Sequence, residues 1–489
     1  RNYDYIANLL FFFQFSNFDR KNSMFSKMLK KIQQLEVQSK RLEPSTKQRK
    51  IIREKIIEYT ENFLNNINAK LTYNISEDNG TGLYDSPISD EPIDIDDAIR
   101  IIEDNLDKPG LNPASGGHLA YIPGGGIYPS ALGDYIAAIT NRYAGVFFAG
   151  PGAVRMENML IEWMCNNCGY PKTAGGNLTS GGSLANLIAI VTARDAHPLQ
   201  GRDYHKAVIY LTRQVHHSAD KSIRIAGLGE AVTRYIPMDH DFRMDTNALE
   251  NAVQKDKKQG LIPWLIIASA GTTDTGAVDP ISDIGNIAQK YKLWFHVDAA
   301  YGGFFILCNK GKKLFSASWK HITALNKADS IVVDPHKGLF LPYGSGAVLV
   351  KNMDHLYQSH RYTAYYMQDA DKAVAGNRPQ QRNPDSVGAS SLHSPADLSP
   401  ELTKHFKGLR LWLPLKLFGL TPFKAALEEK ILLARYFYEK IQTIDGFEVG
   451  PYPHLSVVIF RYVPASGSSA IAMSGGTSVK EEDANLFNE

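Results

Sequence analysis

Two short apolar runs decide the fold, KLWFHVDAAYGG at residues 292–303 and ADSIVVDPHKGL at residues 328–339. Each has the length and the aliphatic and aromatic content typical of a buried parallel strand. The first run places Asp298 near its end, and the second places Lys337 shortly after its strand-like part. Because parallel strands end at the same edge of a sheet, we expect this carboxylate and this amine to meet in a ligand site.

Strand-like runs and helical runs alternate around this pair. The segment 279–292 opens with Asp-Pro and places Ile281, Ile284 and Ile287 on one face, which predicts an amphipathic helix. Further buried strands are predicted at residues 205–212, 263–271 and 346–351. The alternation favours an α/β domain with a mainly parallel sheet, which binds ligands beyond the carboxyl ends of its strands.

Composition divides the chain into segments. Residues 1–23 precede the first methionine and are predicted to be a non-native or disordered leader. Residues 24–127 have helical spacing and predict an N-terminal helical segment, whereas residues 128–395 form the predicted large α/β domain. Residues 396–489 predict a small C-terminal α+β domain, complete or truncated, and the polar segment 367–400 predicts a mobile loop.

The overall composition narrows the class of protein. With 44% hydrophobic residues and a net charge of +2, the chain is typical of a soluble globular protein and not of a nucleic-acid binder. Its sequence offers neither an apolar stretch of membrane-spanning length nor a recognisable signal peptide. Three cysteines cannot form a disulfide framework, which favours a reducing compartment and a cytoplasmic location.

Two of the cysteines, Cys165 and Cys168, form a CxxC pair. Such a pair can be redox-active or can supply half of a zinc site. This one falls on a predicted helix, and no second pair of cysteine or histidine residues is close in sequence. We therefore predict small, partly buried thiols and no metal site.

The segment LTSGGSLANLIAIVTARDAH at residues 178–197 places two glycines and Ser183 before a helical run. A helix amino terminus presents unpaired N–H groups and a partial positive charge, and Gly182 would let a phosphate approach the backbone closely. A serine that merely caps the helix explains the same pattern equally well.

Two further segments follow predicted strands at the same edge of the sheet. RQVHHSADKSIRIAGL, residues 213–228, offers His216, which could stack on a flat ring, relay protons, or simply lie at the surface. ASAGTTDTGAVDP, residues 268–280, offers Thr273, although its surroundings are equally typical of a turn.

A lysine and a carboxylate at one sheet edge, beside a phosphate-binding pattern, are what a pyridoxal 5′-phosphate site requires. Lys337 would form a Schiff base with the cofactor aldehyde, and Asp298 would keep the pyridine nitrogen protonated. Taken singly, Asp298 could be a structural salt-bridge partner and Lys337 a solvated side chain. Their occurrence together with the other segments favours the cofactor site.

In this order, the segments SGGS, QVHH, GTT, HVDAAYGG and DPHK resemble the group II pyridoxal-phosphate-dependent amino acid decarboxylases, most of all their aromatic-L-amino-acid decarboxylase branch. The resemblance extends over residues 95–463 and implies an aspartate aminotransferase-like fold, known as PLP fold type I. It implies a carboxy-lyase that converts an L-amino acid, aromatic by this resemblance, to its amine and CO2. It also implies a homodimer with the active site at the interface, and N-terminal helices that pack across that interface.

The resemblance further implies roles for individual residues. The implied catalytic residues are Lys337, His216 and Asp298. The implied cofactor-binding residues are Gly182, Ser183, His216, Thr273, Asp298, Asp334, His336 and Lys337. The implied substrate-pocket residues, in the segment AYIPGG, are Tyr121, Ile122 and Gly124.

Departures from the family pattern leave the product open. Asp334 stands where aromatic-branch members usually carry asparagine, and Gly338 stands where tryptophan is common. The family's mobile loop usually offers a tyrosine that protonates the carbanion, but this chain has no tyrosine between positions 367 and 435. In relatives without that tyrosine, oxygen can divert the reaction to an aldehyde, ammonia and peroxide. The residues that could replace it are His393, Tyr362, Tyr365 and Tyr366.

Two further alternatives remain. A glutamate or aspartate decarboxylase would need a cation for the second substrate carboxylate, which Arg155, Arg213 or Arg410 could supply. A non-catalytic dimeric scaffold that has kept the fold is the alternative from a different class of protein.

Overall fold

The computed structural model describes residues 23–75, 79–119, 121–308, 319–361 and 393–463. The chain divides into two compact units between Tyr121 and Ile122. The predicted leader lies outside the described residues up to Asn22, as do residues 367–392 of the predicted loop.

The first unit is mainly helical. Its helices are Ser23–Ser39, Thr46–Asn65 and Ile95–Ile102. Ser45 Oγ accepts a hydrogen bond from the backbone of Gln48, and the Gln48 side chain accepts one from the backbone of Ser45. This reciprocal capping box fixes where the second helix begins. A short antiparallel pairing joins Tyr73–Asn74 to Gly110–Leu111.

A seven-stranded sheet forms the centre of the second unit. In chain order its strands are β1 Gly175–Thr179, β2 Ala207–Leu211, β3 Val232–Tyr235, β4 Ile262–Ser269, β5 Trp294–Asp298, β6 Ser330–Val333 and β7 Gly346–Val350. They lie side by side in the order β1-β7-β6-β5-β4-β2-β3. β7 is antiparallel to both of its neighbours, and the other adjacent pairs are parallel. The predicted mainly parallel sheet is therefore confirmed.

Helices connect and cover these strands. Those of the second unit are Tyr128–Thr140, Pro151–Asn167, Gly182–Ala196, Ser218–Ile225, Thr246–Lys258, Ile281–Tyr291, Trp319–Ile322, Pro335–Gly338, Met353–His360, Gly408–Phe418 and Thr421–Ile441. The helix predicted at 279–292 is thus observed, and Ile281, Ile284 and Ile287 are buried. In the part of the chain that the structure describes, no helix has both the length and the apolar character of a membrane span.

Alternate strand residues fill apolar cores on the two faces of the sheet. In β2, Val208 and Tyr210 belong to one core, whereas Ile209 and Leu211 belong to the other. All four side chains are buried. Because successive strand residues point to opposite faces, a sheet that is covered on both faces requires the continuous apolar runs seen in the sequence.

The sequence interpretation missed two strands and overestimated one. β1 reads GGNLT, whose glycines and asparagine are untypical of strands, and β3 reads VTRY and is a partly exposed strand at the sheet edge. Near the end of the described chain, the apolar run at 454–463 contributes only the short strand Phe460–Tyr462. This strand pairs with Phe447–Val449 in an antiparallel ladder.

Cys165 and Cys168 are free, buried thiols at the end of the helix Pro151–Asn167. Burial raises the pKa of Cys168 to about 12, so this thiol is protonated at neutral pH and is not a reactive thiolate. Both thiols are free, as predicted, and they are buried more deeply than the predicted partial burial.

A buried ion pair ties the C-terminal part of the described chain to the sheet. Lys404 Nζ lies 2.9 Å from Glu157 Oε2, and both side chains are almost inaccessible to solvent. Lys404 also donates a hydrogen bond to Asn177 Oδ1 on β1. Glu157 Oε1 accepts hydrogen bonds from the backbone N–H groups of Lys407 and Gly408. Each charge is therefore compensated where an unpaired charge would be strongly unfavourable.

Replacing Lys404 with methionine would leave Glu157 buried without its cation. We expect Lys404→Met to lower the free energy of unfolding by about 3–5 kcal/mol, the range for removing one partner of a buried pair. The measurement is the midpoint of urea unfolding, followed by circular dichroism. Lys430→Met removes an exposed ion pair and is the matched control, with little expected change. Equal midpoints for the two variants would contradict the importance of the buried pair.

Candidate functional site

A cavity of about 300 Å³ lies at the carboxyl ends of the parallel strands. Asp298 is the last residue of β5, and Lys337 follows β6 within the short helix Pro335–Gly338. Both side chains line the cavity, so the two residues expected to meet at this edge do meet there. The other predicted cofactor-binding residues also line it, namely Gly182, Ser183, His216, Thr273, Asp334 and His336.

The carboxylate of Asp298 is buried and accepts two hydrogen bonds. Asn186 Nδ2 donates to Oδ2 over 2.8 Å, and the backbone N–H of Ala300 donates to Oδ1 over 3.0 Å. Each carboxylate oxygen has further lone pairs, and the group forms part of the cavity wall. Asp298 is thus held in position and can still accept a hydrogen bond from a ligand.

A chain of buried hydrogen bonds stands behind Asn186. Asn186 Oδ1 lies 2.9 Å from His296 Nε2, and His296 Nδ1 lies 2.8 Å from Ser330 Oγ. Trp294 Nε1 donates to the same Ser330 hydroxyl over 3.0 Å. Because an amide oxygen only accepts, we assign the His296 proton to Nε2, and Ser330 then donates to Nδ1. Burial lowers the pKa of His296 to about 4, in agreement with a neutral ring.

His216 is linked to the Asn186 amide through the hydroxyl of Ser218. Its Nδ1 accepts a hydrogen bond from the backbone N–H of Ser218 and lies 2.8 Å from Ser218 Oγ. Asn186 Nδ2 donates to that hydroxyl over 3.0 Å. Burial, together with the neighbouring His217, lowers the pKa of His216, so its ring is neutral at physiological pH. Asn186 therefore positions Asp298 directly and His216 through Ser218.

Lys337 has a closer carboxylate neighbour in Asp334. Its Nζ lies 3.1 Å from Asp334 Oδ2, and the lysine side chain is 22% exposed. The Asp334 side chain is 1% exposed, and its Oδ1 has no hydrogen-bond partner among the described residues. Burial raises the pKa of Asp334, and the positive charge of Lys337 opposes that rise.

The helix Gly182–Ala196 begins at the cavity wall. Gly181, its N-cap, has φ of +155°, which residues other than glycine rarely adopt. A Cβ added to Gly182 would lie 2.8 Å from an oxygen of Asp334, so the backbone here is open only because it carries glycines. The unpaired N–H groups of the first turn and the Ser183 hydroxyl suit a phosphate group. The residues present therefore fit a phosphorylated cofactor.

The predicted substrate-pocket residues do not line this cavity. Ile122 packs against an apolar core, and Gly124 is exposed. Tyr121 belongs to the other unit, where it is 65% exposed. Their role in substrate binding stays a prediction.

Of the four residues predicted as possible proton donors, only His393 is among the described residues. Tyr362, Tyr365 and Tyr366 fall outside the described residues. The His393 ring packs edge-on against Tyr357, with ring centres 5.4 Å apart, and it does not line the cavity.

The sequence interpretation missed the buried polar residues that support the site, Asn186, Ser218, His296 and Ser330. A signal for two of them was present. His296 stands two residues before Asp298 on β5, so both side chains lie on the same face of the sheet. Asn186 stands four residues after Gly182, one helical turn from the amino terminus. The signal is a polar residue in an otherwise apolar element, two residues from a site residue on a strand or four residues from one on a helix.

Residues 81–463 match the family described as the pyridoxal-dependent decarboxylase conserved domain. An aromatic-L-amino-acid decarboxylase from Bacillus atrophaeus is 32% identical over 351 residues, which cover 72% of this chain and 68% of the relative. A phenylacetaldehyde synthase from Petunia hybrida is 28% identical over 415 residues, which cover 82% of this chain and 77% of the relative.

Solved structures resemble the fold. The crystal structure of Oryza sativa TDC with PLP and tryptamine has a TM-score of 0.78 at 23% identity and covers 91% of this chain and 88% of that chain. Catharanthus roseus tryptophan decarboxylase in complex with L-tryptophan has a TM-score of 0.74 at 21% identity and covers 87% of each chain. These likenesses confirm the fold class predicted from the sequence.

Replacing Asn186 with leucine would remove the amide that links Asp298, His296 and Ser218. Each buried group left unpaired costs about 1–3 kcal/mol, so we expect Asn186→Leu to weaken pyridoxal 5′-phosphate binding at least about tenfold. Fluorescence titration of the apoprotein measures this affinity. Asn286→Leu, at an exposed position of the helix Ile281–Tyr291, is the control. An unchanged affinity in Asn186→Leu would show that Asp298 does not depend on the amide.

Proposed function

The chain belongs to the pyridoxal-dependent decarboxylase family, and from that premise we propose that it converts an aromatic L-amino acid to the corresponding amine and CO2. Its cofactor is pyridoxal 5′-phosphate, and its class of enzyme is the carboxy-lyases. The observation that carries the proposal is that Asp298, Lys337 and a helix amino terminus line one cavity together.

The proposed residue roles come from the family resemblance, and this geometry supports them. The Lys337 amine would hold the cofactor aldehyde, and Gly182 and Ser183 would hold its phosphate at the helix amino terminus. Asp298 would face the ring nitrogen, where an opposite charge about 4 Å away is worth roughly 4 kcal/mol at an effective dielectric constant of about 20. When bound, the cofactor supplies an electron-withdrawing ring that takes up the electron pair of the broken bond to the carboxylate.

His216 is proposed to lie against the ring face. A neutral imidazole suits that place, because a charged one would repel a protonated ring. The hydrogen bonds from Ser218 to Nδ1 leave Nε2 free to carry the ring proton. Thr273 and His336, which also line the cavity, are proposed as further cofactor contacts.

The distribution of cations favours an aromatic substrate over a dicarboxylic one. Among the described residues that line the cavity, Lys337 is the only lysine or arginine. Arg410 is paired with Asp134 and also donates to the carbonyl oxygen of Tyr343. Arg155 and Arg213 lie over the rings of Phe147 and Tyr235 respectively. A second substrate carboxylate would therefore lack a ready partner, whereas Tyr301 and Tyr343 offer aromatic walls.

An aldehyde product is the second candidate, and one observation favours it. The chain has no tyrosine between positions 367 and 435, where the family resemblance places a proton donor. The phenylacetaldehyde synthase among the relatives shows that this family includes proteins named for an aldehyde product.

The proposed assembly is a homodimer. One side of the helix Tyr128–Thr140 packs against the helix Gly408–Phe418, where Gly133 allows close approach to Leu409. Exposed apolar residues lie on this helix at the spacing of one face, namely Leu132, Tyr135 and Ile136. An apolar stripe of this kind favours a partner, and a second copy of the chain is the partner that the family resemblance implies.

Borohydride reduction of the protein with pyridoxal 5′-phosphate tests the role of Lys337. We expect one labelled peptide, containing Lys337, because this is the only lysine that lines the cavity among the described residues. Lys337→Ala should lose the label. Lys351→Ala, at the end of β7 and outside the cavity, should keep it. A label at another lysine, or none, would remove the basis of the proposed function.

A panel of L-amino acids, assayed together for CO2, amine and peroxide, tests substrate and product. We expect turnover of tyrosine, tryptophan or dihydroxyphenylalanine, and little turnover of glutamate or aspartate, because the described residues that line the cavity include no lysine or arginine besides Lys337 for a second carboxylate. Amine in equal amount to CO2 would support decarboxylation alone. Peroxide in equal amount to CO2 would support the aldehyde product, and a dicarboxylic substrate would contradict the aromatic assignment.

A further inference from the structure

Asp334 is a buried carboxylate placed beside the proposed phosphate position. It follows the last residue of β6 and precedes the short helix that carries Lys337. Its Oδ2 lies 3.1 Å from Lys337 Nζ and 3.7 Å from His336 Nε2. The side chain lines the cavity although it is only 1% exposed.

Two glycines leave the space that this carboxylate occupies, one beside each oxygen. A Cβ on Gly182 would lie 2.8 Å from Oδ2, and a Cβ on Gly346 would lie 2.8 Å from Oδ1. The oxygen next to Gly346, Oδ1, has no hydrogen-bond partner among the described residues. A buried oxygen without a partner is unfavourable, and the Asp334 side chain lines the cavity, which points to a ligand group that completes its bonding.

A carboxylate and a phosphate at this place would repel each other. Gly182 begins the helix whose amino terminus is proposed to hold the phosphate, and Asp334 touches that glycine. The charged or titratable groups that face Asp334 are Lys337 and His336 on its own segment and Asp298 on β5. Lys337 is the amine with which the cofactor aldehyde would react. Its ion pair with Asp334 therefore describes the protein without cofactor.

We propose that Asp334 takes up a proton from solvent when the cofactor phosphate binds, and that its Oδ1–H donates a hydrogen bond to a phosphate oxygen. The proposal rests on the proposed function, since it takes pyridoxal 5′-phosphate as the ligand. It gives the unpaired oxygen a partner and removes the repulsion between two neighbouring anions. Asp334 thereby becomes a residue that makes cofactor binding depend on pH.

The sign of the dependence follows from proton linkage. Burial raises the pKa of Asp334 in the free protein, Lys337 and His336 oppose the rise, and Asp298 adds to it. The phosphate would raise that pKa further, so the bound state holds more protons than the free state. Between the two pKa values, the dissociation constant for the cofactor rises with pH by up to about tenfold per pH unit.

The experiment compares proton uptake on cofactor binding in the wild type and in Asp334→Asn. Isothermal titration calorimetry of the apoprotein, in buffers of different ionisation enthalpy, gives the protons bound with each pyridoxal 5′-phosphate. Asparagine has nearly the same shape and donates a hydrogen bond without a proton from solvent. We therefore expect the variant to take up about one proton fewer than the wild type and to bind less steeply with pH.

Two controls isolate the phosphate and the site. Pyridoxal, which has the same aldehyde but no phosphate, should give a smaller difference in proton count between the wild type and Asp334→Asn than pyridoxal 5′-phosphate does. Asp329→Asn changes another aspartate whose pKa is raised by burial, at the opposite end of β6, and should behave as the wild type does. If Asp334→Asn does not fold, the wild type alone still decides above about pH 7, where the phosphate is already a dianion. In that range its affinity for pyridoxal 5′-phosphate must fall with pH more steeply than its affinity for pyridoxal.

Equal proton counts for wild type and Asp334→Asn with pyridoxal 5′-phosphate would overturn the proposal while leaving the proposed function intact. Failure of both proteins to bind pyridoxal 5′-phosphate would overturn the proposed function and this inference together. The two failures are thus distinguished by whether the cofactor binds at all.

Discussion

The carboxylate of Asp298 lies at the end of a central strand, where a charge without hydrogen-bond partners is strongly unfavourable. The fold supplies two donors, the Asn186 amide and the backbone N–H of Ala300. Both depend on the sheet, because Ala300 directly continues β5 and Asn186 is brought to it by the helix after β1. The arrangement of strands and helices is therefore a requirement for placing this one group in a ligand cavity.

Asn186 shows how such a site is made rigid. Its amide has two N–H bonds and one acceptor oxygen, and each has a buried partner, respectively Ser218, Asp298 and His296. A side-chain amide with every group paired can adopt one orientation only, since a flip would place donors against donors. The hydrogen bonds continue from His296 to Ser330 on β6. One chain of hydrogen bonds therefore fixes residues from two strands and two helices.

The part of the site that was predictable from the sequence is the part encoded by local pattern. Asp298 and Lys337 are recognisable because each follows a continuous apolar run, and parallel strands bring their carboxyl ends to one edge. β1 was not recognisable, because its glycines have low strand propensity and are needed for close packing. A Cβ on Gly176 would lie 2.0 Å from the carbonyl oxygen of Val348. Partners such as Ser330 are defined only by the pairing of β5 with β6, which is a tertiary property.

Asp298 and Asp334 show why residue type and position do not determine chemistry by themselves. Both are aspartates at the carboxyl ends of neighbouring strands, and both are buried at the wall of one cavity. Asp298 has a donor on each oxygen, whereas Asp334 has a cation on one oxygen and no partner on the other. Because hydrogen-bond donors and charges decide which protonation state a buried carboxyl favours, the two groups are suited to opposite tasks. The first accepts two hydrogen bonds and suits the proposed contact with a positive ring nitrogen, whereas the second suits the proposed contact with a phosphate as a protonated acid.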